Sequence, residues 1–406
     1  MRRIDVPKEA VDRHEKTLGA AILSFLDRLA KGERVSWAIK SSGNKTKEQL
    51  CLEREKTIQE AVGARCRPYW IWLQKEFRDN HILTARPARL IAFSIRNKQK
   101  VAKFLVAKES RNAVREICGR LFDYSAFRSG KILLTADGAG RILWVEKHAE
   151  DDEKRRQEWD RWKGWNIAEF VQRLDIRYCP YCNAENVGTA HLPSSEFVPD
   201  IDHIFPKGAY PLLSLSLYNL VPACNRCNSR FKNEHDMLSG WNGVGDLPAL
   251  HPYVHHIYKH LKFDYNPISV GNLYLRPHSV DPTYVSPLTV SAAKESVTRR
   301  RRTENYISRY HLRAIYSDQY SEEINEAIRI ESLCSPRFVE SMKELYGVVE
   351  DDFDRLFHRT SLDPREINHY RFAKLIGDLH DSICFDVSDE KKACIIERLK
   401  KRFGLV

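Results

Sequence analysis

The sequence predicts an α+β chain in which a small central β-β-α finger, bracketed by cysteine knuckles, is flanked by mostly helical N- and C-terminal regions. Three observations carry that expectation. Apolar residues recur at helical spacing through the first and last thirds, and two Cys-x-x-Cys pairs stand near the middle. The insert between those pairs, Asn183 to Ala223, holds short strand-like runs around a proline-containing turn. A chain of 406 residues exceeds one usual core, so three units are expected: 1–165, helical with a small β-hairpin; 166–262, the finger; 263–406, short strands and then helices.

In chain order, Val11, Leu18, Ala21, Ile22, Phe25, Leu26 and Leu29 mark a helix from Lys8 to about Ala30, and similar periodicity covers 46–62, 68–79 and 98–122. The run Tyr69-Trp70-Ile71-Trp72 has helical spacing and reads as core rather than as a base-stacking platform. Lys131 to Glu146 places two apolar runs around Asp137-Gly138-Ala139-Gly140, the composition of a hairpin turn. Glu150 to Arg161 reads as a solvated helix. Beyond the finger, Leu261–Tyr265 and Asn272–Leu275 read as strands, with helix from about Val290 onward. Asp363-Pro364-Arg365-Glu366 supplies an N-cap, an N1 proline and an N3 glutamate, and Ser388-Asp389-Glu390 opens a last helix ending in Lys400-Lys401-Arg402.

A net charge of +11 favours a polyanionic partner, because each phosphate contact releases condensed counterions. The charged N-terminus lacks the apolar stretch of a signal peptide, and no apolar run approaches the roughly 18 residues needed to span a bilayer. A soluble cytoplasmic protein without a membrane partner is expected. Four of the ten cysteines form the two paired knuckles. The other six, Cys51, Cys66, Cys118, Cys334, Cys384 and Cys394, read as buried thiols.

Cys179-Pro180-Tyr181-Cys182 and Cys224-Asn225-Arg226-Cys227 each let one tight turn aim two thiolates at one ion, and together they complete a closed tetrahedral Zn²⁺ site. Lacking an open position, that ion is structural. It ties the two ends of the insert together with a free energy on the order of 10 kcal/mol.

Inside the staple lie Asp200-Ile201-Asp202-His203-Ile204-Phe205-Pro206-Lys207 and Tyr218-Asn219-Leu220-Val221-Pro222, with Asn228 and Lys232 after the second knuckle. Phe197 to His203 reads as one strand, Tyr218 to Val221 as its partner and Arg226 to Asn233 as the helix. In that frame Asp202 and Asn228 offer hard oxygen ligands suited to Mg²⁺ or Mn²⁺. Asp200 either assists that site or is a solvated strand residue.

This pattern resembles the HNH nucleases of the His-Me finger (ββα-metal) superfamily, in the subclass with Asp-His, an intermediate Asn and a Cys-x-x-Cys-Asn-x-x-x-Lys run. The third signature position is Asn228 rather than histidine, a variation that occurs in active members. The resemblance implies a metal-dependent endonuclease with His203 as general base, Asn219 orienting its imidazole, and a 5′ phosphate and 3′ hydroxyl as products. Phe122-Asp123-Tyr124, Tyr210-Pro211-Leu212-Leu213 and the segment Ser216 to Pro222 extend the likeness to bacterial HNH proteins of antiphage systems. Some of those work beside an ATPase, as in the Septu type. A defence role and a regulatory partner of that kind are what the resemblance implies.

Lys207, Arg226, Arg230 and Lys232 around the finger, and Arg299, Arg300, Arg301 and Arg302 at the start of a C-terminal helix, are candidates for holding phosphates of double-stranded DNA. His251-Pro252-Tyr253 with His255, His256 and His260 lacks a cysteine or carboxylate at matching spacing and reads as a packing element. Two rival readings stand beside the DNA nuclease: a zinc-ribbon nucleic-acid-binding or scaffold subunit that does not cut, and a nuclease acting on RNA.

Overall fold

The chain is described by a computed structural model over residues 1–38, 46–145, 164–188, 190–192, 195–237, 249–265, 288–292, 297–316 and 363–384, with isolated residues between 153 and 160 and between 341 and 360. The described residues mix α and β structure and are mostly helical. The apolar face anticipated at the N-terminus folds as a helical run: Lys8–His14, one π turn at Glu15–Gly19, then Ala20–Lys31. Gly32, at φ 78°, ends it in the left-handed region that a residue with Cβ enters at a cost. Ala21, Ile22, Phe25, Leu26 and Leu29 are all buried, and this helix packs on Arg67–Asn80, which buries Tyr69, Trp70, Leu73 and Phe77. The aromatic run is therefore core.

Lys47–Val62 opens on a complete capping box formed by Thr46 and Gln49. The helix expected over 98–122 is two helices, Pro87–Phe104 and Lys108–Leu121. The break has a visible cause. Leu105 leaves helical geometry and buries its side chain, while the Arg111 guanidinium donates to the freed carbonyls of Leu105 (3.0 Å) and Val106 (2.7 Å). The hairpin forms with Ile132–Leu133 antiparallel to Trp144–Val145. Its returning side adds a pairing that the sequence does not announce, Arg141–Ile142 parallel to Ser36–Trp37. Gly140 makes that approach possible, since a Cβ there would collide with the Arg34 carbonyl.

Toward the C-terminus, Leu261–Tyr265 is a strand and pairs antiparallel with Leu288–Ala292. That pairing corrects the expected onset of helix near Val290. The β-branched Thr289 and Val290 sit in the ladder, and helix begins only at Val297–Arg309. Asp363 caps as anticipated, accepting from the Arg365 N–H at 2.8 Å, but the turn that follows, Pro364–His369, is a 3₁₀ helix before the α-helix Ala373–Cys384. The expected strand at 272–275, most of the helix at 150–161 and the last helix at 388–402 lie outside the described residues.

The three expected units share one apolar core. It runs from Met1 and Ile22 through Trp70, Phe127 and Phe205 to Leu220, Phe263, Tyr316 and Ile376. Hydrogen bonds add directional ties between the N-terminal helices and the loop 214–217. The Trp165 indole donates to His14 Nδ1 (3.1 Å), so His14 Nε2 carries the hydrogen and donates to the Leu215 carbonyl (2.8 Å). Ser214 Oγ donates to the Phe122 carbonyl (2.7 Å), Ser216 Oγ to that of Ile82 (3.0 Å), and the Leu217 N–H to that of Leu83 (2.8 Å). The helical N-terminal region thus acts as a scaffold for the loop 214–217 of the central insert.

Candidate functional site

The central insert places strand Asp200–His203 antiparallel to Leu220–Ala223, with Asp202 opposite Val221 and His203 opposite Leu220. A short helix of π pitch, Arg226–Lys232, follows the second knuckle. The strand is shorter than anticipated, because Ser195–Phe197 belongs to a separate hairpin with Ala190–Leu192. Its partner also starts later, leaving Tyr218 and Asn219 on the 3₁₀ turn Leu217–Asn219.

The four knuckle sulfurs converge. Cys179, Cys182, Cys224 and Cys227 are buried, and their Sγ atoms all lie within 4.8 Å of one another. Tetrahedral Zn–S bonds of about 2.3 Å place neighbouring sulfurs about 3.8 Å apart. Cys182 and Cys224 stand at 3.9 Å. Backbone N–H groups of Cys224 and Cys227 point at Cys179 Sγ (3.5 Å) and Cys224 Sγ (3.4 Å), donors that favour thiolates. The donor set fits one Zn²⁺.

Packing fixes the first knuckle from outside. Asn183, at φ 57°, donates its side-chain amide to the Ile367 (2.9 Å) and Tyr370 (3.0 Å) carbonyls. Tyr306 donates to the Tyr181 carbonyl (2.8 Å), Tyr316 donates to that of Cys182, and Tyr310 stacks on Tyr181 with ring centres 4.5 Å apart.

His203 ends its strand with 8% of its surface exposed. Its Nε2 lies 3.1 Å from the Ser214 carbonyl and therefore carries the hydrogen, leaving Nδ1 with the free lone pair. Tyr124 stands edge-on to the imidazole, with ring centres 4.5 Å apart. Burial pushes the His203 pKa down to about 3, with the Lys207 and Lys232 charges adding to the shift, so the ring is neutral at neutral pH.

Asn219 was expected to hold this ring; the structure gives it a different contact set. Its Oδ1 accepts from the Phe205 N–H (2.7 Å), and its Nδ2 donates to the carbonyls of Phe205 (3.2 Å) and Leu213 (2.8 Å). Asn219 fixes the loop, and the loop's Ser214 carbonyl fixes the ring. A backbone acceptor such as the Ser214 carbonyl leaves no mark in sequence, and the Phe122-Asp123-Tyr124 run does not by itself show that Tyr124 meets the imidazole.

Asp202 departs further from expectation. Lys232 and Asp202 each expose 1% of the side chain, with Nζ 2.8 Å from Oδ1, and Tyr181 donates to Oδ2 at 2.5 Å. Lys232 also donates to the His203 carbonyl at 2.7 Å. Both carboxylate oxygens are thus taken by protein donors, one of them charged. A Mg²⁺ or Mn²⁺ ion does not fit at Asp202 beside the Lys232 ammonium in this arrangement. Asn228 is half-buried in the first turn of the helix, where its backbone N–H donates to the Cys224 carbonyl (3.0 Å). Among the described residues, the only group of three or more His, Cys, Asp or Glu side chains close enough to share an ion is the four-cysteine one. Asp200 accepts from Asn225 Nδ2 at 2.8 Å and so ties its strand to the second knuckle.

The basic candidates divide. Lys207 is exposed, with its ammonium 5.3 Å from the centre of the Tyr124 ring, and Arg230, Arg300 and Arg301 are exposed as well. Arg226 is engaged by Glu185. Lys232 and Arg302 point inward, Arg302 toward His255 Nε2 at 3.4 Å, which corrects their expected role in reaching phosphates at the surface. The Arg299 side chain is outside the described set. His251 packs as anticipated: it is buried, its Nδ1 accepts from the Tyr253 N–H (3.2 Å), and the Tyr253 hydroxyl donates to the Leu220 carbonyl.

Set against known proteins, the chain matches no family model, no curated protein and no solved structure. No helix among the described residues is long and apolar enough to cross a membrane.

Proposed function

We propose that this chain is an HNH-type endonuclease that hydrolyses phosphodiester bonds in DNA, with His203 as general base. The observation that carries the proposal is the setting of His203: it ends the first strand of a β-β-α unit, its Nε2 is fixed by a carbonyl and its Nδ1 is an acceptor. In the proposed reaction Nδ1 takes a proton from water, the oxygen attacks phosphorus in line as the bond from phosphorus to the 3′ oxygen breaks, and the departing 3′ oxygen takes a proton from solvent. The products are a 5′ phosphate and a 3′ hydroxyl. Exposed Lys207 and Arg230 flank the unit as phosphate contacts, and the net charge of +11 supports a polyanionic substrate. No step is assigned to a second ion while Lys232 and Tyr181 hold Asp202. A place in antiphage defence beside an ATPase belongs to the same proposal and rests on motif resemblance.

The test is plasmid nicking with Mg²⁺ or Mn²⁺, comparing wild type with His203→Ala. A loss of roughly 10²-fold or more is expected. Equal cutting by both proteins would remove His203 from the mechanism. Matched DNA and RNA substrates decide the nucleic acid. One observation favours the rival scaffold reading, namely the buried Lys232–Asp202 pair in the place where an ion is expected. Wild type that binds DNA and cuts under no divalent cation would support that rival.

A further inference from the structure

Next to the finger, a cavity of about 450 Å³ opens between helices Pro87–Phe104 and Lys108–Leu121 and the loop Gly208 to Leu213. Its walls combine two chemistries. Phe93, Val101 and Leu212 supply apolar surface, and two guanidinium groups, Arg111 and Arg115, line it with no carboxylate among the lining residues. Asn97 uses its Oδ1 to accept from the Tyr69 hydroxyl (2.9 Å), which leaves its amide hydrogens to donate. Arg111 commits one nitrogen to the Leu105 and Val106 carbonyls, and the contact of Arg115 to the Gly208 carbonyl is long, at 3.5 Å. The cavity is therefore rich in donors, positive at its rim and apolar below.

From this geometry we infer that the cavity is a binding site for a small anion with a flat apolar body, and specifically for a nucleoside monophosphate. The volume lies in the range of small-molecule sites. The guanidinium groups match a phosphate in fork geometry, the amide of Asn97 matches a base edge, and the apolar wall takes the base. The loop that closes the cavity runs straight into Ser214, whose carbonyl holds His203, and Asn219 grips that loop at the Leu213 carbonyl. An occupied cavity thus stiffens the segment that orients the imidazole. Binding itself does not depend on the proposed nuclease activity, and only this last coupling rests on it.

Isothermal titration of the full chain with AMP, GMP and inorganic phosphate tests the site, together with hydrogen exchange across 208–214. Saturable binding of one of the two nucleotides is expected, weakened roughly tenfold or more by Arg115→Glu at the exposed rim, with slower exchange across 208–214. Val101→Trp, which fills the cavity, should also abolish binding, so the outcome does not hang on one variant. His203→Ala is expected to bind the nucleotide as wild type does, which separates this result from the fate of the nuclease proposal. Absence of binding by both nucleotides at millimolar concentration overturns the inference. So does binding that both cavity variants leave unchanged, or inorganic phosphate binding as tightly as the nucleotides.

Discussion

Asp202 and Lys232 face one another with 1% of either side chain exposed, and that burial decides what each residue can do. Removing one member of such a pair leaves a charge stranded in a poorly solvated place, a loss of about 3–5 kcal/mol. Lys232→Met is therefore expected to lower unfolding free energy by that order in urea titrations, whereas the double change Asp202→Asn with Lys232→Met should recover much of it. An additive double variant would show that the two side chains do not act as a pair. Both residues stand out in the sequence as motif positions, yet the motif alone suggested a metal ligand and a surface phosphate contact. Pairing depends on the angle at which the helix Arg226–Lys232 returns to the strand, and no residue spacing encodes that angle. Asn219 shows the same limit in milder form. Its importance was legible, but its three side-chain hydrogen bonds end on Phe205 and Leu213, one step from the ring it was expected to touch. On the proposed nuclease reaction, Asn219→Ala should slow DNA nicking mainly through kcat, with DNA affinity in Ca²⁺ nearly unchanged. A loss confined to affinity would contradict a positioning role.

Among the elements, the cysteine knuckles were the most legible, because the two-residue spacing is itself the geometric requirement for aiming two sulfurs at one ion. Their removal should be felt beyond the knuckles. Tyr181, between the first pair, holds Asp202, while Tyr306 and Tyr316 reach back to the knuckle carbonyls from the C-terminal side. Purified protein is expected to carry about one zinc per chain by elemental analysis. Chelation, or Cys182→Ser, should lose the near-ultraviolet signal of this tyrosine cluster along with the metal. Retention of that signal in zinc-free protein would mean that packing alone holds the knuckle. Helix boundaries were less legible where tertiary contacts set them. The stop at Leu105 depends on a guanidinium from the next helix, and the strand Leu288–Ala292 exists because Leu261–Tyr265 lies beside it.

At the scale of the whole molecule, one core spans the three regions that the sequence divides, and among the described residues three histidines, His14, His203 and His251, are buried. His14 is pushed down to about 4, His203 to about 3 and His251 to about 3, in each case chiefly because burial disfavours the charged imidazolium. In the unfolded chain each recovers an ordinary value near 6.5. Below that value the unfolded state binds protons that the native state does not, so stability falls as pH falls from about 6.5 toward 4. Each histidine contributes roughly 2 kcal/mol of that loss by pH 5. Because His14 donates to the Leu215 carbonyl and His203 sits across the Ser214 carbonyl, acid acts on the same loop from two sides. The expected result is a melting temperature that drops steeply between pH 6 and pH 4.5. In His14→Gln, whose amide nitrogen can still donate to the Leu215 carbonyl, that slope should become shallower even where stability at pH 7.5 is lower. An unchanged slope would place the acid sensitivity elsewhere in the core.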